Sequence, residues 1–397
     1  MRQHIRHAFI TPFTDPKRAQ IYGATSLGLL GFHLSLLTFS YHIAGLGLSS
    51  LALFWMVFFG LTGFVLMPGL CWIYGRYGMP KAGLAFFSLL FIGFGLAWGV
   101  GNSAPLGLAI AYSCMAMAYW TAYHLSMFTH SSSSNRGNEI AMAYVMMGLG
   151  SGVGYVVSGF VLQAGYITFG LALAFTSLAL GTSILLRLLK SRRESLLGSY
   201  WTEFRKSVLE TDRLLRTLAI SYGMIDVLNG FLLPAWLRLE GMAPKTAGGI
   251  LAFQVCVLIL LAPIVGRIAN QMRGKELLIG LGLYLAGWTF LSLPLGLSLP
   301  VQVSITLFIW VGATQFYGCG VNKRWYEHKS LMSVGTREML LNVGRLSVGA
   351  VGISIMQLSP HNFPIIAGCL ALLVGSWVIW VLQQLKKQAH AIEDKST

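Results

Sequence analysis

Apolar residues in this chain neither alternate nor keep to one face of a helix. They run almost unbroken from Tyr22 to Leu382, with short polar interruptions. A run of about 20 such residues crosses a hydrocarbon core of roughly 30 Å as a helix. The interruptions predict twelve spans, at 20–44, 50–74, 81–101, 104–128, 138–163, 166–188, 213–237, 246–271, 276–295, 299–321, 336–358 and 362–385. A closed β-barrel also satisfies every backbone group in lipid, but it would show segments of about ten alternating residues. The pattern therefore predicts an all-α membrane protein.

Composition agrees: of 397 residues 55% are hydrophobic and 10% charged, which is no soluble surface. The net charge of +15 raises the question of a nucleic-acid partner. Its distribution answers it. With both termini in the cytoplasm, all but three of the 28 Lys and Arg lie in cytoplasmic segments or at cytoplasmic span ends. The exceptions are Arg238 and Lys245 outside and Arg345 within a helix. That is the positive-inside rule, and an even number of spans returns the C-terminus to the starting side. The excess charge thus reports topology, and no nucleic-acid partner is expected. No small-residue cleavage site follows the first apolar run, so that helix is expected to be retained. Cys71, Cys114, Cys256, Cys319 and Cys369 all fall in spans without CxxC pairing, which indicates neither a disulfide framework nor a metal site.

The longest polar connection divides the chain near its middle. The expected organisation is a cytoplasmic segment 1–19, a six-helix bundle 20–188, a linker 189–212, a second bundle 213–385 and a tail 386–397. In the linker, Trp201, Phe204, Val208 and Leu209 recur at helical spacing and read either as an amphipathic helix on the membrane surface or as a solvated charge run. The halves echo one another. Pro68 answers Pro263, Glu139 answers Glu338, and Gly150 and Gly349 each follow eleven residues after those glutamates. Such internal repeats are common in transporter folds.

Nearly the whole chain resembles the major facilitator superfamily, which carries a GxxxDRxGRR-like loop after spans 2 and 8. The second copy here runs from Gly266 to Lys275, with Asn270 in the acidic position and Arg273 beyond it; the first keeps Arg76 and Gly78 but has Cys71 and Gly75 in place of the leading glycine and the acid. The resemblance implies two pseudo-symmetric six-helix bundles, alternating access, and a gate at Arg76, Asn270 and Arg273 to which Glu139 or Glu338 lends an acid. Gly148, Gly150, Gly152 and Gly154 resemble the glycine-rich fifth helix of the family's antiporters, without its usual proline, and read first as close helix packing.

An ionisable side chain near the bilayer centre is costly and asks for a reason. Asp226 lies near the middle of span 7 with Tyr222 and Asn229 on its face, suited either to taking up and releasing a proton or to permanent pairing with a cation. Arg345 shares a stripe with Glu338, Asn342 and Gly349 and is the candidate partner, or else the receptor of an anionic substrate. His33, at a similar depth in span 1, is a candidate proton carrier or hydrogen-bonding group. The resemblance makes spans 1, 4, 7 and 10 the cavity wall. On that basis Trp120 and His124 in span 4, with Trp310 and Tyr317 in span 10, are candidate substrate contacts beside Arg345, Asn229, Tyr222 and Asn342. Interfacial aromatic belts account for some of them equally.

No GxxxxGK[ST], HExxH, GxSxG or paired-carboxylate motif occurs, so neither ATP use nor enzymatic activity is indicated, and no cofactor is expected. The expectation is a monomeric secondary transporter that moves a small organic solute by alternating access, driven by protons. A multidrug-type efflux antiporter and a non-transporting receptor or scaffold with this fold are the alternatives. The compact chain with short outer loops suggests a bacterial inner membrane, with an organellar membrane as the rival.

Overall fold

A computed structural model describes residues 15–99, 105–131, 136–189, 196–271, 275–326 and 331–396. Helix α1 (Pro16–Gly45) starts at Asp15, whose carboxylate accepts from Lys17 N at 2.9 Å, with Pro16 pre-set in the first turn. It is followed by α2 (Leu48–Tyr77), α3 (Met79–Gly99), α4 (Pro105–His130), α5 (Arg136–Ala164) and α6 (Ile167–Leu188). A short α7 (Tyr200–Glu210) occupies the linker. Beyond it come α8 (Arg213–Leu239), α9 (Pro244–Gln271), α10 (Lys275–Ser292), α11 (Leu299–Trp325), α12 (Met332–Leu358) and α13 (Phe363–Ser396).

Ten of these helices are long and apolar enough to cross a membrane, which makes this a multi-pass membrane protein. The other two long ones, α4 and α10, coincide with the expected spans 104–128 and 276–295. Helix α4 is more polar because its Ser113, Thr121 and His124 are turned inward and buried. Helix α10 is 18 residues long and opens on Lys275-Glu276.

Two departures from regular helix were not expected from the apolar runs. Helix α2 widens into a π turn at Thr62–Leu66 and α8 does so at Val227–Leu232. Each lies just before a proline, Pro68 or Pro234. Proline has no N–H, so the carbonyl one turn earlier loses its helical partner and the local hydrogen bonding shifts. In α8 the π turn begins directly after Asp226.

Glycines set the closest helix crossings. A Cβ at Gly150 of α5 would overlap the Ser26 carbonyl of α1, and one at Gly154 would stand 2.7 Å from Leu30 O. In the second half, Gly223 of α8 presses on Leu341 of α12 and Gly344 of α12 on Ile220 of α8. Gly152 and Gly349 have ordinary room. Helix α5 also packs along α9, where Gly148 faces Ile259 and Gly159 lies against Gly248.

Helix α7 is amphipathic. Its Phe204 and Ser207 are buried against the bundle, while Trp201 and Leu209 are exposed. It touches helices from both halves: Tyr200 Oη donates to Phe64 O of α2 at 3.0 Å, and Thr336 Oγ1 of α12 donates to Ser207 Oγ at 2.7 Å.

Candidate functional site

The two halves line a cavity of about 270 Å³. Helices α1, α2, α4 and α5 from one half and α8, α9, α10, α11 and α12 from the other supply its lining. Most of the wall is apolar, including Leu29, Phe32, Phe58, Met117, Trp120 and Phe231.

On the side away from the linker the cavity ends in packed aromatic rings. Phe231 of α8 meets Trp55, Phe58 and Phe59 of α2 at centroid separations of 4.7, 6.2 and 5.1 Å. On the linker side it ends in a polar layer joining the halves. His124 Nδ1 of α4 lies 2.6 Å from the hydroxyl of Tyr326, and its Nε2 lies 3.4 Å from Arg337 Nη1 of α12. Arg337 Nη2 donates to Asn322 Oδ1 at 2.6 Å, and Asn322 Nδ2 donates to Tyr144 Oη of α5 at 2.9 Å. An arginine can only donate, so His124 Nε2 must accept, which leaves the ring proton on Nδ1 to be given to Tyr326.

Between these closures lies a charged triad. Arg345 of α12 holds Asp226 Oδ2 of α8 through Nε at 2.9 Å and Nη2 at 2.7 Å. Its Nη1 holds Glu338 Oε1 at 2.6 Å. Asn342 braces this arrangement, donating to Glu338 Oε1 at 3.1 Å and accepting from Arg345 Nη1 at 3.0 Å. Phe59 and Phe231 flank the guanidinium, 5.7 and 5.6 Å from it. Asp226 and Arg345 are thus paired. The pairing alone is compatible with a structural or a proton-linked role.

Among the other expected residues, His33 lines the cavity, its Nδ1 3.1 Å from Leu29 O and 2.9 Å from Ser151 Oγ. Tyr222, Asn229, Trp120 and His124 line it too. The amide O and N of Asn229 have no partner among the described residues. Trp310 and Tyr317 lie behind the wall. Trp310 donates to Tyr284 O at 3.3 Å and packs on Trp288, while the Tyr317 hydroxyl is 2.6 Å from Ser221 Oγ.

Of the expected gating residues, Arg76 donates to Leu196 O and Leu197 O at 3.0 and 2.6 Å, tying the end of α2 to the linker. Glu139 pairs with Arg18 of α1 at 3.0 Å, within the first half. Glu338 sits in the central triad rather than at the surface. Arg273 and the side chain of Asn270 lie outside the described residues.

Sequence reasoning missed Arg337, Asn322, Tyr326 and Tyr144. It assigned Arg337 to the cytoplasmic charge at a span end, whereas α12 begins four residues earlier than expected and buries it to 5% exposure. Likewise α11 runs four residues beyond its expected end and brings Asn322 into the wall.

This arrangement has counterparts among solved structures. A peptide transporter POT in complex with sulfate aligns over 92% of this chain and 94% of its own, with a TM-score of 0.64 and 14% identity. The fold is that of the major facilitator superfamily. Two other structures with this fold are the human organic anion transporter MFSD10 (TETRAN) and a bacterial homologue of the iron transporter ferroportin in its outward-facing state. The first covers 92% of this chain and 100% of its own, with a TM-score of 0.61 and 13% identity. The second covers 91% and 98%, again with a TM-score of 0.61 and 13% identity. No family model and no curated protein matches the sequence. The major facilitator neighbours are transporters, not enzymes.

Proposed function

We propose that this protein is a secondary active transporter that carries a small organic solute across a cytoplasmic membrane by alternating access, coupled to protons. In this reading twelve helices cross the bilayer, α1–α6 and α8–α13 form two bundles that rock about the cavity, and both termini and the linker face the cytoplasm. The observation that carries it is the Asp226–Arg345–Glu338 triad, set in a cavity walled by both halves and flanked by an aromatic cluster on one side and a polar layer on the other. A carboxylate there is worth its desolvation only if paired or used. A proton on Asp226 weakens its hold on Arg345 and leaves that guanidinium to Glu338 alone, which couples protonation to the α8–α12 contact. Tyr222 and His33 flank the same space, and Trp120 and Phe32 offer apolar faces to the solute.

The test is proton movement in proteoliposomes loaded with a pH-sensitive dye. The panel contains sugars, amino acids, organic acids and cationic drugs, with Asp226→Asn run alongside. Solute-evoked proton flux is expected in the native protein and a loss of at least tenfold in the variant. Gradient-driven accumulation by Asp226→Asn at the native rate would sink the assignment.

A further inference from the structure

Two arginines line the cavity, and their electrostatic situations differ. Arg345 has carboxylate oxygens at 2.6 and 2.7 Å. Among the described residues Arg337 has none closer than 3.9 Å, and that oxygen belongs to Glu338, already engaged by Arg345. Among the described residues the direct contacts of Arg337 are to neutral groups, Asn322 at 2.6 Å and His124 at the long distance of 3.4 Å, and its Nε has no acceptor. A guanidinium at 5% exposure with one donor unused and another poorly used is costly to keep. The polar groups around it belong to four helices and converge on the cavity.

We infer that Arg337 is the docking site for an anionic group of the solute, and that the solute is a small organic monoanion with a carboxylate at this end and an apolar body. This deepens the transport reading above and rests on it. The carboxylate accepts from Arg337 in place of the weak His124 contact, and Tyr326 and Asn322 supply further polar partners. The body lies along Trp120, whose ring stacks on His124 with centroids 5.6 Å apart and planes at 22°. Charge balance follows. The cavity wall carries two arginines and two carboxylates, so a bound monoanion leaves it one charge negative, and one proton on Asp226 restores neutrality. Because the His124–Arg337 contact joins the two halves, its replacement by the solute also loosens the linker-side closure.

The test uses the purified full-length protein in detergent and reads the thermal unfolding midpoint against ligand concentration. The probes are benzoate and phenylacetate, each against its carboxamide, which differs from it in charge but little in shape. The acids are expected to bind the native protein at least tenfold more tightly than the amides. Arg337→Gln should abolish that preference, and Asp226→Asn should keep it. Asn322→Asp puts a carboxylate where Arg337 now meets an amide oxygen. It should unfold at an equal or higher temperature and lose the acid preference, which keeps the test decisive even if Arg337→Gln does not fold. Acids and amides acting alike, neither acting, or an acid preference surviving in Asn322→Asp would overturn the inference. A stronger acid preference in Asp226→Asn, where Arg345 loses a competing carboxylate, together with its survival in Asn322→Asp, would move the anion site to Arg345. Proton flux in Asp226→Asn is read separately, so the transport reading can fail or stand by itself.

Discussion

At the scale of single residues, the triad is redundant about its centre. Arg345 is held by two carboxylates on different helices, so removing one still leaves the guanidinium paired. Removing both strands a buried charge, and breaking a buried pair in this way costs about 3–5 kcal/mol. Asp226→Asn and Glu338→Gln are therefore each expected to yield folded protein with a modestly lower unfolding midpoint. The double variant should fall by clearly more than the sum of the two, since the residues share one partner. Additive midpoints would show that Arg345 finds other acceptors, and would remove the premise that the triad is one electrostatic unit. This redundancy is also why Asp226→Asn is a usable probe of coupling: the protein has a second anchor while the proton site is gone.

At the scale of helices, glycine decides how close the cavity walls come. Gly150 and Gly152 are two residues apart on α5 but differ in surroundings. The first presses on the α1 backbone at Ser26, whereas a Cβ at the second meets Val255 at an ordinary 3.7 Å. Gly150→Ala must push α1 away, an overpacking cost of about 1–3 kcal/mol, and should lower the unfolding midpoint in detergent. Gly152→Ala should leave it unchanged or raise it slightly, because alanine is the better helix former. Equal effects would contradict the crossing described here. The same contrast marks what was legible beforehand. Apolar runs locate helices because lipid tolerates little else, and single charges such as Asp226 and Arg345 stand out against them. Helix ends are less visible, since an extra turn of α11 or α12 into polar sequence costs the pattern nothing. That turn decides whether Arg337 reads as a surface charge or a cavity residue. The π turns were equally hidden, although Pro68 and Pro234 were there to mark them. Trp310 and Tyr317 were drawn toward the cavity because the family resemblance makes span 10 part of its wall, but membership of a span cannot tell a wall's front from its back without the packing partners, Trp288 and Ser221.

At the scale of the molecule, the linker is more than a tether. Helix α7 rides on α2 through Tyr200, and the strand of chain before it is held by Arg76 and by Trp72, whose Nε1 donates to Gly198 O at 3.3 Å. Its far end is joined to α12 by Ser207 and Thr336, with hydroxyl oxygens 2.7 Å apart. If alternating access opens the linker side by parting α2 from α12, this junction must yield. The hydroxyl contact makes this pair the natural place for an engineered cross-link. Ser207→Cys with Thr336→Cys should therefore form one under oxidation and staple the linker side shut. Exposed Cys256 and Cys369 are replaced by serine to prevent stray pairing, while Cys71, Cys114 and Cys319 are buried. Oxidised protein in liposomes should carry solute at under a tenth of the reduced rate, with recovery on adding reductant, and each single-cysteine variant should be indifferent to oxidation. Equal transport in the oxidised and reduced states, with the cross-link shown to be complete, would mean that α7 travels with α12 and that the halves part elsewhere. The parting would then lie between α4 and the end of α11, where His124 meets Tyr326.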